Sequence, residues 1–326
     1  MRILIIGTGV IGSTYAWQLS NAGYDVTVLV KEEAVDFFRK DGIQIEFVDK
    51  RYKKRITGKL IFRPALITIK EMTGEFDFIL IPVQRQQIGK ILVDIGDKVS
   101  KSTIVIFQNN WKCSEEIDEL LSNKQYVYAF PHMVGGSRDG KTVKTIIFNE
   151  GNTRIGEKNN ACIYSERINK LFEILERSGM RPKITENIEH WLITHYIQQS
   201  SGIGIFLKYG SPLNVVKSYK RLGELIEVGR EGLQVCEKRG INARKISPIK
   251  FLYYPKWLIV LVLKMMFKDE DEKSMLGGHM KNGLEEMIVG YEEVLSEGKQ
   301  RGLAMKKWES YHEFVKEAKK HIGYQQ

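Results

Sequence analysis

Gly7-Thr8-Gly9-Val10-Ile11-Gly12 is a spacing of glycines suited to holding a pair of phosphates. Gly7 allows a tight turn, Gly9 lets a pyrophosphate approach the backbone, and Gly12 lets a strand and a helix pack closely. A helix opening at this run would offer free N–H groups and the positive end of its dipole to the phosphates. The flanks supply both elements. Residues 2–6 read as a buried strand and residues 13–19 as a helix. Residues 25–30 read as the next strand, so the run sits in a βαβ start. We expect dinucleotide binding, with cofactor contacts from Gly7, Thr8, Gly9, Val10, Ile11 and Gly12. The alternative is a glycine turn in an unrelated α/β fold.

The end of the second strand decides which cofactor. An NAD site wants a carboxylate there for the ribose 2′-hydroxyl. This chain has Val30 and then Lys31. A cation suits the 2′-phosphate of NADP, so we expect NADP(H) held by Lys31. Glu32 would take the ribose if the strand ended two residues later, and Lys31 would then be a solvated loop lysine. Asn109 follows the strand expected at 103–107. It therefore falls at a strand end where ligands of open α/β sheets bind. His132 sits on a loop at another strand end, and reads more readily as a loop histidine than as a site residue.

The chain has 326 residues, enough for two domains, and a formal net charge of +10. Its lysines and arginines are scattered among glutamates, with no basic tract, zinc spacing or RNA-binding signature. The charge reads as a surface attractive to anionic substrate and cofactor, and nucleic acid is not expected as a partner. Cys113, Cys162 and Cys236 are far apart, odd in number and without a CxxC. That fits buried or idle thiols in a reducing cytoplasm, and a first strand at residue 2 leaves no room for a signal peptide. The most apolar stretch, Trp257-Leu258-Ile259-Val260-Leu261-Val262-Leu263, ends at Lys264. It falls short of the roughly 20 residues that span a bilayer. We expect a buried or dimer-interface helix there, with an interfacial helix as the alternative.

Apolar runs at 76–83, 103–107, 127–130 and 145–148 read as covered strands of a doubly wound sheet. Helical spacing separates them at 87–95 and 114–121. Residues 44–48 and 59–62 suggest an excursion hairpin. A helix over 163–179 and a short strand at 182–184 close this half. Beyond it the strand runs stop. Helices are expected over 187–208, 213–239, 255–267, 283–297 and 308–320, with 268–273 as a solvated loop. The expected fold class is an α/β Rossmann-type domain, residues 1–184, followed by an all-α domain, residues 185–326, for substrate and dimerisation.

This layout resembles the 6-phosphogluconate-dehydrogenase-like reductases, and within them the ketopantoate reductase family, over nearly the whole chain. Members have Val-Lys-x-x-Gln after the strand expected at 78–83; here Val83-Gln84-Arg85-Gln86-Gln87 stands there. Their Gln-Asn-Gly corresponds to Gln108-Asn109-Asn110. Their tryptophan and catalytic lysine at the start of the first C-terminal helix correspond to Trp191-Leu192-Ile193, with Ile193 where the lysine belongs. Their late Glu in a Thr-Glu-Ile-Asp-like segment is nearest to Leu284-Glu285-Glu286-Met287. The chain is more similar to a divergent subgroup with Trp-Leu-x-x-His and Gly-His-x-x-Asn, here 191–195 and 278–282.

The resemblance implies an NADPH-dependent reduction of a small 2-oxo acid, ketopantoate to pantoate in the family's own pantothenate biosynthesis, by a homodimer. The lysine itself is absent from this chain. Gln84 replaces a cation at the nicotinamide end, and Arg85 is offset by one residue from taking its place. Such a reaction needs a donor that protonates the oxygen as it becomes an alkoxide. His195 is the natural replacement for the lysine, since its ordinary pKa of about 6.5 lies near working pH. It shares a helix face with Trp191 and Gln198, whereas Ile193 lies on another face, which counts against it. The catalytic candidates are His195, Glu285 and Asn109; Gln84 and Asn109 join the cofactor set. Glu285 reads otherwise as an exposed glutamate paired with Lys281, and His279 is a further cleft candidate. Two other readings remain open: a catalytically silent NADP-binding sensor or scaffold, and an opine-type reductase that condenses an amine with the oxo acid.

Overall fold

A computed structural model describes residues 1–323, apart from residues 74, 100, 110, 113, 114, 123 and 159–162. Cys113, Cys162 and Asn110 therefore lie outside the described residues, as do the side chains of His279, Lys281 and Asn282. The chain divides into two compact units, Met1–Glu189 and His190–Gln326.

The first unit opens with β1 (Arg2–Ile6), α1 (Val10–Asn21), β2 (Asp25–Leu29) and α2 (Glu32–Asp41). Then come β3 (Ile43–Asp49), β4 (Ile56–Phe62), β5 (Ala65–Ile67), β6 (Phe78–Ile81), α3 (Arg85–Ile95), β7 (Thr103–Phe107) and α4 (Glu115–Asp118). It closes with β8 (Tyr126–Pro131), β9 (Val134–Asp139), β10 (Thr142–Ile147), β11 (Thr153–Gly156), α5 (Glu166–Arg177) and β12 (Pro182–Ile184).

The main sheet has eight strands in the order β12-β11-β8-β7-β6-β1-β2-β5. All its pairings are parallel except β8 with β11. The central strands β1, β6 and β7 are buried almost end to end, because sheets covered on both faces leave no polar side. From β1 the chain moves to β2 on one side and returns to β6 on the other. That reversal is the topological switch point at which open α/β sheets bind ligands.

The second sheet has four strands, β4-β3-β10-β9. The expected hairpin of 44–48 with 59–62 is present as β3 against β4. The run at 145–148 was expected in the main sheet, and here the structure corrects the expectation. It forms β10, which pairs with β3 and β9. An apolar run shows that a strand is covered, not which sheet covers it. The small sheet covers the outer side of α1: Thr14 donates its hydroxyl to Thr145 at 2.8 Å, and Trp17 packs 5.0 Å from Phe47. On its other side, Tyr15 meets Phe107 of the main sheet edge-on at 5.0 Å. Hence α1 is buried at every residue from Gly12 to Leu19, as a helix between two layers must be.

The second unit is helical: α6 (Ile188–Lys208), α7 (Pro212–Val216), α8 (Tyr219–Lys238), α9 (Lys256–Met266), α10 (Glu270–Gln300), α11 (Lys306–Glu309) and α12 (His312–Gly323). The single helix expected over 213–239 is two, because Ser218 stops α7 and caps α8 by accepting from the Arg221 N–H. The helix expected over 308–320 is likewise split, into α11 and α12. The loop expected at 268–273 is instead the start of α10. Asp269 caps it, accepting from the N–H groups of Asp271 and Glu272, and three acidic residues follow in the first turn. The α10 axis is broken at Gly283, whose φ of −119° and ψ of 15° are not helical. Finally, α9, expected as a buried or dimer-interface helix, is covered on one face only within the chain. Its inner face joins the core, but Trp257, Leu261, Val262, Met265 and Met266 are exposed.

Candidate functional site

The glycine run behaves in three different ways, one for each glycine. Gly7 has φ +100°, a conformation costly for any side chain, and its N–H bonds to the Leu29 carbonyl. A Cβ at Gly12 would lie 2.4 Å from the Gly7 carbonyl oxygen, so this glycine is needed for the fold itself. A Cβ at Gly9 would meet nothing within 4 Å. Packing therefore does not require Gly9; the open space above it does. Gly9 is also the N-cap of α1, with no side chain capping the helix. The first N–H groups of α1 thus border an open space at the switch point, which fits a pyrophosphate.

The other expected residues of this unit lie at neighbouring strand ends. β2 stops at Leu29, and Lys31 is the N-cap of α2, 79% exposed at the side chain, with Nζ 3.9 Å from Glu33. Glu32 is inside the first turn of α2, past the strand end, and its carboxylate lies 3.7 Å from Lys70. Gln84 caps α3 beyond β6, and its side-chain oxygen accepts from Gln86 at 3.0 Å. Arg85 does not stand in for the missing lysine charge, because its guanidinium pairs with Glu116 at 2.8 Å. Asn109 follows β7 and is buried. Beside it, Gln108 donates to the Val83 carbonyl, and its own side-chain oxygen has no partner among the described residues. Gly7, Lys31, Gln84 and Asn109 thus follow the C-terminal ends of β1, β2, β6 and β7, which the parallel register brings to one edge of the sheet.

One residue with a hold on this turn escaped the sequence reading. Arg138, at the end of β9, donates from Nη1 to the Thr8 carbonyl and hydroxyl oxygens, both at 3.1 Å. Its Nε donates to the Gly140 carbonyl, and its guanidinium lies over the Phe38 ring, 5.6 Å from the centroid. It forms no ion pair among the described residues, so its charge stands uncompensated beside the glycine turn. The signal available was Asp139-Gly140, a dipeptide typical of a hairpin turn, here joining β9 to β10.

In the second unit, His195 and Glu285 lie on α6 and α10. These helices are tied by Tyr196, whose hydroxyl donates to Glu293 at 2.5 Å, and Gly290 gives the close approach to Tyr196 and Ser200. The imidazole of His195 stacks on Trp191, with centroids 5.0 Å apart and planes at 9°. Trp191 is fixed in turn by its Nε1 donating to the Ser247 carbonyl at 2.8 Å. Ile193 is buried. The position that the resemblance gives to a lysine is therefore an apolar core position here. Glu285 is exposed on α10, two residues past the break at Gly283.

Residues 3–160 match the family model described as ketopantoate reductase PanE/ApbA. Over these residues, just under half of its length, the chain is similar to the ketopantoate reductase family. Among its relatives, the uncharacterized oxidoreductase YkpB of Bacillus subtilis is 24% identical over 223 residues, 66% of this chain and 68% of that protein. The 2-dehydropantoate 2-reductase of Pyrococcus horikoshii is 26% identical over 263 residues, 77% of this chain and 78% of that protein. Their names are those of oxidoreductases. The fold extends over the full length. D-Mandelate dehydrogenase, solved in complex with NADH, matches at TM-score 0.72 over 98% of this chain and 99% of its own, at 16% identity. The 2-dehydropantoate 2-reductase of Methylococcus capsulatus matches at 0.69 over 98% and 97%, at 18% identity.

Two further facts bear on the site. The described residues contain no group of side chains able to hold a metal ion, and no helix long and apolar enough to cross a membrane. His132 is partly buried after β8, and burial, aided by the charge of Arg154, pushes its imidazole down to about 4. It is neutral at pH 7, so it lacks the acidic imidazolium proton there. The unfolded chain binds that proton below about pH 6.5, the folded chain only below about 4. Stability should therefore fall as pH drops through that window, by up to about 3 kcal/mol from this group. His132→Gln should flatten that leg of the Tm–pH profile in thermal denaturation. An unchanged slope would show that His132 titrates normally.

Proposed function

We propose that the chain is an NADPH-dependent reductase of a small 2-oxo acid, with ketopantoate, the substrate in the names of its relatives, as the first acid to try. The observation that carries the reading is the open cradle at Gly9, set at the switch point and at an uncapped helix N-terminus. Lys31, directly past β2, supports the phosphorylated cofactor, because a cation there neutralises a 2′-phosphate that a carboxylate would repel. NADPH should then bind about tenfold or more tightly than NADH, the equivalent of a charge-assisted phosphate contact. Lys31→Asp should flatten or reverse that preference in a fluorescence titration. Equal affinities in the unmodified protein would remove Lys31 from the site.

Bound there, the nicotinamide would supply a hydride to the oxo carbon. The protein's own part is to hold the dinucleotide turn and supply a proton. Ser13 and Arg138 both donate to the Thr8 carbonyl, which fixes the peptide ahead of Gly9. His195 is the group we assign to protonating the alkoxide oxygen, with Glu285 and Asn109 contacting substrate or cofactor. A homodimer is the proposed assembly; one relative of this fold, from Staphylococcus aureus, is described as a dimeric ketopantoate reductase.

Consumption of NADPH in the presence of a panel of 2-oxo acids tests the reading. Turnover with the acid alone supports it. Binding without turnover on any acid would favour a silent sensor, and turnover only when an amine accompanies the acid would favour an opine-type reductase.

A further inference from the structure

The hairpin of β9 and β10 carries a cation with no anionic partner among the described residues. Its turn is anchored on α2: Arg138 lies over the Phe38 ring, and Lys141 Nζ is 3.9 Å from the Phe37 centroid. From the same place Arg138 bonds the Thr8 carbonyl and hydroxyl with Nη1, and the Gly140 carbonyl with Nε. The half-buried guanidinium is therefore held before any ligand arrives. Its Nη2 makes no hydrogen bond among the described residues. The carboxylates of α2 and of the turn are engaged elsewhere. Glu32 faces Lys70 at 3.7 Å, Glu33 faces Lys31 at 3.9 Å, and Asp41 faces Lys141 at 3.8 Å. Asp36 acts on Arg39, and Asp139 pairs with Lys144 at 3.0 Å. Arg138 is left with neutral oxygens and a ring. A guanidinium in that state draws an anion, and phosphate matches its planar fork.

Its place selects which phosphate. A pyrophosphate belongs beyond Gly9, on the first N–H groups of α1. Arg138 grips the turn ahead of Gly9, at Thr8, and reaches from there to α2, the helix that Lys31 caps. The Gly7 N–H, bonded to the Leu29 carbonyl, holds this part of the turn against the end of β2. In a dinucleotide fold the end of the second strand reads the adenosine ribose at its 2′ position. Lys31, also expected there, is 79% exposed and shares its charge with Glu33, so solvent and salt weaken it. A fixed, half-buried cation acts more strongly on the same charge.

We propose that Arg138 is a second ligand of the cofactor's 2′-phosphate, supplied by the small sheet from outside the βαβ unit that holds the rest of the dinucleotide. The inference rests on the reading of the glycine turn as a dinucleotide site. It adds a residue that sets NADPH over NADH beside Lys31.

Fluorescence titration of the full chain with NADPH and with NADH tests it. Arg138→Gln should weaken NADPH by about tenfold and NADH by less than about twofold. NADH is spared because Ser13 still donates to the Thr8 carbonyl and keeps the turn in place. Equal weakening of the two cofactors would make Arg138 a brace of the turn or a pyrophosphate ligand, and overturns the proposal. Unchanged NADPH affinity in the folded variant, or equal affinities in the unmodified protein, overturns it too; each of these leaves the dinucleotide site standing. Failure of the unmodified protein to bind either cofactor would overturn the site and the inference together. If Arg138→Gln does not fold, the unmodified chain decides. Modification of Arg138 by phenylglyoxal, read by peptide mass spectrometry, should be slowed several-fold by saturating adenosine 2′,5′-bisphosphate and little by saturating adenosine 5′-monophosphate. Equal protection by the two nucleotides, or none by either, overturns the proposal.

Discussion

His195→Ala should lower kcat by about 10²–10⁴-fold, the range for loss of a positioned general acid, while leaving the Kd for NADPH unchanged. Hydride arrival turns the oxo oxygen into an alkoxide, and a proton must reach it from somewhere. Ile193, at the place of the family's lysine, is buried and has no proton to give. His132 is neutral at working pH. His195 is partly exposed, and its ring is held by the Trp191 stack, itself pinned to the Ser247 carbonyl. An imidazole held in this way loses little freedom on reaching a transition state. The rate should fall as pH rises through the imidazole pKa, because the acid form is then lost, and the alanine variant should lack that leg. A fully active variant with an unchanged pH profile would remove His195 from the mechanism and leave Glu285, water or the cofactor ribose as the donor.

Gly9→Val should abolish cofactor binding in a protein that still folds. The backbone at Gly9 has φ −67° and ψ 179°, an extended conformation open to any residue, and the new Cβ would meet nothing within 4 Å. The methyls would fill the space required by a pyrophosphate, so affinity should drop below detection while Tm moves by a few degrees at most. Gly12→Val is the contrasting case. Its Cβ would collide with the Gly7 carbonyl oxygen, and the fold itself should suffer. Retained NADPH affinity in a folded Gly9→Val protein would show that the loop serves some other purpose.

The main sheet was legible because its strands are covered on both faces and so read as unbroken apolar runs, and because the glycine run marks its first turn. The small sheet was less so. Its β10 is as apolar as a main-sheet strand, and nothing local distinguishes a strand that lies under α1 from one beside β7. That misplacement also hid Arg138, whose neighbour Thr8 is 130 residues away in sequence. In the second unit, helical periodicity was plain, but its interruptions were not. Ser218 and Asp269 are caps, yet each sits in a stretch whose polarity also suits a helix face or a loop. Which face of α9 is exposed could not be read, because a stretch apolar at every turn carries no mark of which face the rest of the chain covers. Within the candidate site, the strand-end residues followed from topology. His195 and Glu285 came from a resemblance, and their local spacing alone would not have selected them.

The central claim is hydride transfer from NADPH to the second carbon of an oxo acid. It is tested most directly by running the reaction with NADPH carrying deuterium at the transferable position of the nicotinamide, and reading the product by mass spectrometry and NMR. The account predicts a 2-hydroxy acid with one deuterium on its second carbon, and no such product from Gly9→Val. A cofactor that binds and keeps its deuterium in the presence of every 2-oxo acid, with or without an amine, would contradict it.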